Sequence, residues 1–258
     1  MDLHPLQEFL GQIPEAISDV YSPALAFDDP GEDLNLMRLM EPAEAVQETL
    51  ALRSSWLQLN SDLLVLWTDD NSNYAAVFMR GDLAPRVALL DHDETEYTPC
   101  FFSPVSFEAA QRRGAKGEKA WCELTQDYPV TSPEDYPLLD LDRALGLKYL
   151  AEYLAHPKDE HRQLAFHAMN LLPFSEAHRI GPLLRSNDMW VQERACRTLG
   201  KRRYEPAIDA LYQIALRSSH NGEIAAILAL QQMESTKARD LVANLKKVKG
   251  KGYAPYFR

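Results

Sequence analysis

The sequence predicts two folds in one chain: an α+β domain with an antiparallel sheet over residues 1–137, then an all-α domain of helical repeats over residues 138–258. Three observations predict it. Ala165, Ala195 and Ala225 stand thirty residues apart, each inside an amphipathic run. Three short apolar runs between residues 63 and 90 are separated by polar turns, the pattern of an antiparallel meander. Charge divides at the same place. Residues 1–137 hold 25 acidic and 8 basic side chains and residues 138–258 hold 13 and 19, so the net −11 splits into −17 and +6.

The chain has 258 residues and 46% hydrophobic side chains, enough for two cores without disulfide staples. Pro129, Pro133 and Pro137 fall within eleven residues, so Asp127–Pro137 reads as a linker, with a short helical turn startable at Ser132-Pro133. Gly114 and Gly117 among charges make Arg112–Lys119 an expected exposed loop. No apolar run approaches the roughly 18 residues of a membrane span, and the N-terminal residues show no basic, then apolar, secretory pattern. Cys100, Cys122 and Cys196 form no CxxC and read as free thiols. Together these features lead to the expectation of a cytoplasmic protein with no membrane partner.

In the first half, Leu6, Phe9, Leu10, Ile13, Ile17 and Val20 recur at helical spacing, which predicts one helix over residues 5–20. Helices are also expected at Pro42–Leu52 and Phe107–Arg113, flanking strands at Leu63–Trp67, Tyr74–Met79 and Arg86–Leu90. Helices set around one antiparallel sheet make an α+β domain. The segments Leu34–Met40 leading into Glu41-Pro42-Ala43-Glu44, Leu63–Asp70, Pro85–Asp93 and Phe101–Phe107 together resemble the SUKH superfamily of cell-wall-regulator and immunity-type domains. Where that family has an Asn-Gly turn after its first helix, this chain has Val20-Tyr21-Ser22-Pro23-Ala24. The resemblance implies an intracellular protein-binding domain, in many bacterial members an immunity protein that neutralises a toxin.

In the second half, the runs 161–169, 191–199 and 221–229 carry the three alanines, and each is preceded by another amphipathic run: Leu141–Leu154, Ala177–Leu184 and Pro206–Leu216. A small residue at the centre with an apolar one four places on puts both on one helix face. Asp159 and Asp188 are expected N-caps, and a helix from Ser235 to about Leu245 would close the stack. The segment Asp188–Gly200 followed by Ala207-Ile208-Asp209-Ala210-Leu211 resembles HEAT-like repeats of the phycobilisome-lyase type. Gln192 stands where that family favours arginine, so its Asp–Arg ladder is incomplete here. An ordinary helical bundle is the alternative. The resemblance speaks to fold and hardly to function, because function sits on exposed faces.

No phosphate loop, dinucleotide fingerprint, zinc-protease or nucleophile-elbow motif is legible, so the expectation is a non-enzyme without cofactor or metal. A HEAT-like lyase or another enzyme is the least supported class. His156, His161, His167 and His178 crowd together, but His161 and His167 are six apart and fall on different helix faces. Asp69, Asp70, Asp91, Asp93, Glu94 and Glu96 cluster at strand ends and read as a protein-binding face for a basic partner such as a toxin. A hard cation is the alternative there, without the ligand spacing or internal glycine of an EF-hand. Arg197, Lys201, Arg202 and Arg203 end a predicted helix. They read as dipole partners of its C-terminus or as an anion-binding patch, and the second reading keeps nucleic acid open as a partner of the basic half. The tail Lys246–Lys251 is expected to be solvated.

Overall fold

The computed structural model describes residues 2–22, 36–55, 59–92, 96–117, 119–131, 136, 138–217 and 220–257. The chain divides into two compact units, Met1–Tyr128 and Pro129–Arg258, so the division falls ahead of the expected boundary at 137. The reason lies at Asp127 and Tyr128. Their backbone N–H groups both donate to the Cys100 carbonyl, and the Tyr128 hydroxyl accepts from the buried Arg86 Nε at 2.9 Å. The start of the proline-rich stretch is therefore part of the first fold. The helical turn expected at Ser132-Pro133 lies outside the described residues.

The first unit is α+β. Its helices are α1 (His4–Leu10), α2 (Glu15–Val20), α3 (Pro42–Ser55) and α4 (Pro104–Lys116). Its strands are β1 (Arg38–Leu39), β2 (Leu63–Thr68), β3 (Tyr74–Phe78), β4 (Val87–Leu90) and β5 (Pro99–Phe101), and they form one antiparallel sheet in chain order. The single helix expected over residues 5–20 is two. Gly11 closes α1 at φ +77°, and Pro14, which has no N–H to continue a helix, precedes α2. The edge strands β1 and β5 are too short to show alternation in sequence. Gly114 lies inside α4 rather than in a loop. A Cβ there would stand 2.4 Å from Leu124 Cδ2, so glycine serves close packing at that position.

All six residues of β2 are buried, which means both faces of the sheet centre are covered. On one side the Thr49 hydroxyl of α3 donates to the Ala45 carbonyl and accepts the Val65 N–H, joining helix to strand. Leu66 is an extra residue against β3, and its carbonyl takes the Met40 N–H on the β1 side. Trp67 packs edge-on against Phe107 of α4 at 4.8 Å, and its Nε1–H donates to the buried Glu108 carboxyl at 2.6 Å. Burial pushes that carboxyl's pKa up, against the opposing pull of the Trp67 N–H and Arg112.

The second unit is all helix: α5 (Leu139–Ala155), α6 (Arg162–Leu171), α7 (Ala177–Ile180) extended by a 3₁₀ turn over Gly181–Arg185, α8 (Met189–Lys201), α9 (Ile208–Arg217), α10 (His220–Gln232) and α11 (Thr236–Lys249). Ala165, Ala195 and Ala225 sit in α6, α8 and α10 at 0%, 0% and 1% exposure, so the thirty-residue period marks equivalent buried places. Asp188 caps α8, its carboxylate accepting the Trp190 and Val191 N–H groups. Asp159 is not a cap. It begins a 3₁₀ turn, and its carboxylate reaches Arg162 at 3.4 Å.

The tail is not fully solvated. Lys249 is ion-paired at 2.7 Å with Glu223, both side chains nearly covered, and Gln231 donates to the Tyr256 carbonyl. A further 3₁₀ turn, Lys251–Tyr256, follows α11.

Helices α8 and α10 meet along backbone. A Cβ on Gly200 would lie 2.6 Å from Ala229 Cα and 2.8 Å from its Cβ. Gly200→Ala is expected to lower the stability of the helical unit by about 1–3 kcal/mol through overpacking, measured by urea denaturation. An unchanged midpoint would place the helices further apart than described.

His167 is buried on α6, and desolvation lowers its pKa to about 3. Between about pH 6.5 and 3 the unfolded chain binds a proton there that the folded chain does not, so stability falls with pH through that window. From pH 7 to pH 5 this residue alone is expected to remove about 2 kcal/mol. The difference between wild type and His167→Gln in thermal denaturation at the two pH values checks it, because the variant should lose this slope.

Candidate acidic site at the sheet end

Register places the acidic loops together. Thr68 pairs with Tyr74 and Tyr74 with Leu90, so the β2–β3 turn and the residues after β4 emerge at one end of the sheet. Arg38 opposite Thr68 brings β1 to the same end. The loops are also tied to each other. The Asn73 side-chain oxygen accepts the His92 backbone N–H at 3.0 Å and lies 2.8 Å from His92 Nδ1.

Each expected acid has a distinct setting. Asp69 organises its own turn, accepting the Asn71 and Asn73 backbone N–H groups and the Asn73 amide. The turn is tight: Asp70 and Ser72 adopt φ +60° and +68°, where a side chain is tolerated rather than favoured. Asp70 faces solvent but takes a forked interaction from Arg38 at 2.7–3.1 Å. Asp91 lies 3.6 Å from His92, and Glu96 accepts from the Thr98 hydroxyl. Asp93 and Glu94 lie outside the described residues.

Arg38 was not among the sequence candidates. It also pairs with Glu44 of α3 at 2.7 Å, so one guanidinium spans two carboxylates. Its hydrogen bonds hold both carboxyls below the usual carboxylate range, despite an opposing desolvation effect. A lone arginine in a two-residue strand carries no spacing signal, and only the register of β1 on β2 brings it to Asp70. Among the described residues, no group of three or more His, Cys, Asp or Glu side chains is placed to hold a metal ion. No described helix is long and apolar enough to cross a membrane.

The basic residues ending α8 disperse. Arg197 pairs with Glu193 one turn back, and Arg203 pairs with Glu234 at 2.6 Å. Arg203 sits at φ +48°. The Tyr204 N–H reaches back to the Leu199 carbonyl and the Arg203 N–H to Gly200, closing the helix in a Schellman motif. Lys201 is exposed. Arg202 is only 8% exposed. It donates to the Met169, Leu172 and Pro173 carbonyls at 2.6–2.7 Å and lies over the Phe174 ring. Burial lowers its pKa to about 10.

Arg202 thus satisfies the carbonyls that end α6 from the following repeat, a demand no local pattern announces. Arg202→Ala would leave these carbonyls short of donors and is expected to cost about 3 kcal/mol. Urea denaturation checks this. Unchanged stability with weakened polyphosphate binding would instead return Arg202 to the anion-binding set.

Compared with models of known protein families, with curated proteins and with solved structures, the chain gives no match.

Proposed function

We propose that the chain is a non-catalytic protein-binding module that takes a basic protein partner on the acidic end of its sheet, as a SUKH-type immunity protein takes a toxin. The observation that carries this reading is the joining of two acidic loops through Asn73 and His92, with Asp70 and Asp91 on the joined segments. Segments tied together in this way before binding lose less conformational freedom on association. The net charge of −17 over residues 1–137 would steer a cationic partner toward it. The site works in the cytoplasm in this reading, and no chemistry is asked of it.

The helical unit then serves as a HEAT-like scaffold. Arg162 of α6 pairs at 2.6 Å with Asp188, the cap of α8, which supports that reading because it forms one rung of an Asp–Arg ladder between successive repeats. The next rung is absent at Gln192, whose amide donates to the Leu184 carbonyl instead. Nucleic-acid binding by this unit is the weaker reading, since Arg202 is committed to carbonyls and Arg197 and Arg203 to carboxylates.

The test is capture of the partner from host extract, repeated with Asp91, Asp93 and Glu94 all changed to lysine. Recovery should fall at least about tenfold for the variant, with association slowed more than dissociation is hastened. Equal recovery with both proteins would remove these loops from the binding face. A partner that proves to be nucleic acid, lost steeply as salt rises, would transfer the function to the helical unit.

A further inference from the structure

A groove of about 610 Å³ runs between α10 and α11. Leu228, Met233, Val242 and Ala243 give it an apolar floor, and Arg239 and Lys246 stand on its rim. Arg239, Val242, Ala243 and Lys246 follow the i, i+3, i+4, i+7 spacing of a single stripe on α11, so the two cations are about 10 Å apart along the axis with apolar surface between them. Both cations are exposed. Arg239 donates to Thr236 Oγ1 at 3.3 Å, and Lys246 lies 5.7 Å from the Phe257 ring centre. Neither makes an ion pair among the described residues, whereas Arg197, Arg203, Lys237 and Lys249 of the same unit all do.

We propose that this groove binds a small amphiphilic carboxylate, with its apolar body on Val242 and Ala243 and its charged head on Arg239. The volume falls within the usual range of small-molecule sites, which combine an apolar lining with a few polar groups that fix orientation. Arginine offers the planar fork that matches a carboxylate. Arg239 also lies in the first turn of α11, where the helix dipole favours an anion. Lys246 closes the other end, leaning on Phe257, and adds long-range attraction.

The experiment titrates sodium octanoate into the full chain by calorimetry, with octanol as the neutral comparison. Octanoate should bind at one site and octanol at least about tenfold more weakly, because the charged hydrogen bonds are lost. Both cations are exposed, so Arg239→Ala with Lys246→Ala should keep the fold and lose octanoate binding by about the same factor. Ala243→Trp, which fills the floor, should abolish it while the far-ultraviolet circular dichroism is unchanged. Octanol binding as tightly as octanoate, or either variant binding like wild type, would overturn the proposal. Loss with the Trp variant alone would reduce the site to apolar adsorption and overturn it equally.

Discussion

A Cβ on Gly200 would fall 2.6 Å from the Cα of Ala229, so α8 and α10 touch along their backbones. The same economy of side chain recurs at Ala165, Ala195 and Ala225, all fully buried. At Gly200 and Ala229 the absence of a large side chain lets α8 and α10 approach closely, while polar side chains link α6 to α8. Arg202, two residues past Gly200, extends from the end of α8 to the last carbonyls of α6. Arg162 reaches the Asp188 cap. Both are hydrogen-bonded contacts between consecutive repeats, joining α6 to α8.

The sheet unit solves a different problem. Its centre is covered on both faces, so each buried polar group needs a designated partner. Thr49 supplies one to Val65, and Glu108 supplies one to Trp67. With the core held this way, the polar loops collect at one end of the sheet, where Asn73 and His92 tie two of them together. The acidic face is consequently a by-product of an antiparallel meander: alternate turns of such a sheet must emerge on the same side.

Charge had a different fate in each unit. In the helical unit most cations that look like a patch in sequence are absorbed: Arg197 by a carboxylate one turn back on its own helix, Arg202 and Arg203 by carbonyls and a carboxylate about thirty positions away. Among the described residues Arg239 and Lys246 escape that absorption, since the stripe they share on α11 carries no acid between them. In the sheet unit the absorption is partial. Arg38 neutralises part of the charge of Glu44 and Asp70, and the excess of acids over bases in that half of the sequence leaves the remainder.

Periodic features were legible in the sequence. The alanine spacing was carried by amphipathic helical runs, the three central strands by short apolar runs set between polar turns, and the division of charge by the distribution of acids and bases along the chain. The break between α1 and α2 and the helical place of Gly114 were not, because glycine has one letter for two uses, a left-handed turn at Gly11 and a tight contact at Gly114. The pairing of Arg38 with Asp70, thirty-two positions away, was decided by strand register, and the burial of Arg202 by the spacing of two helices. Such contacts join residues with no common period. Only the folded chain, by setting which backbones lie adjacent, determines which charges meet and which are left facing solvent.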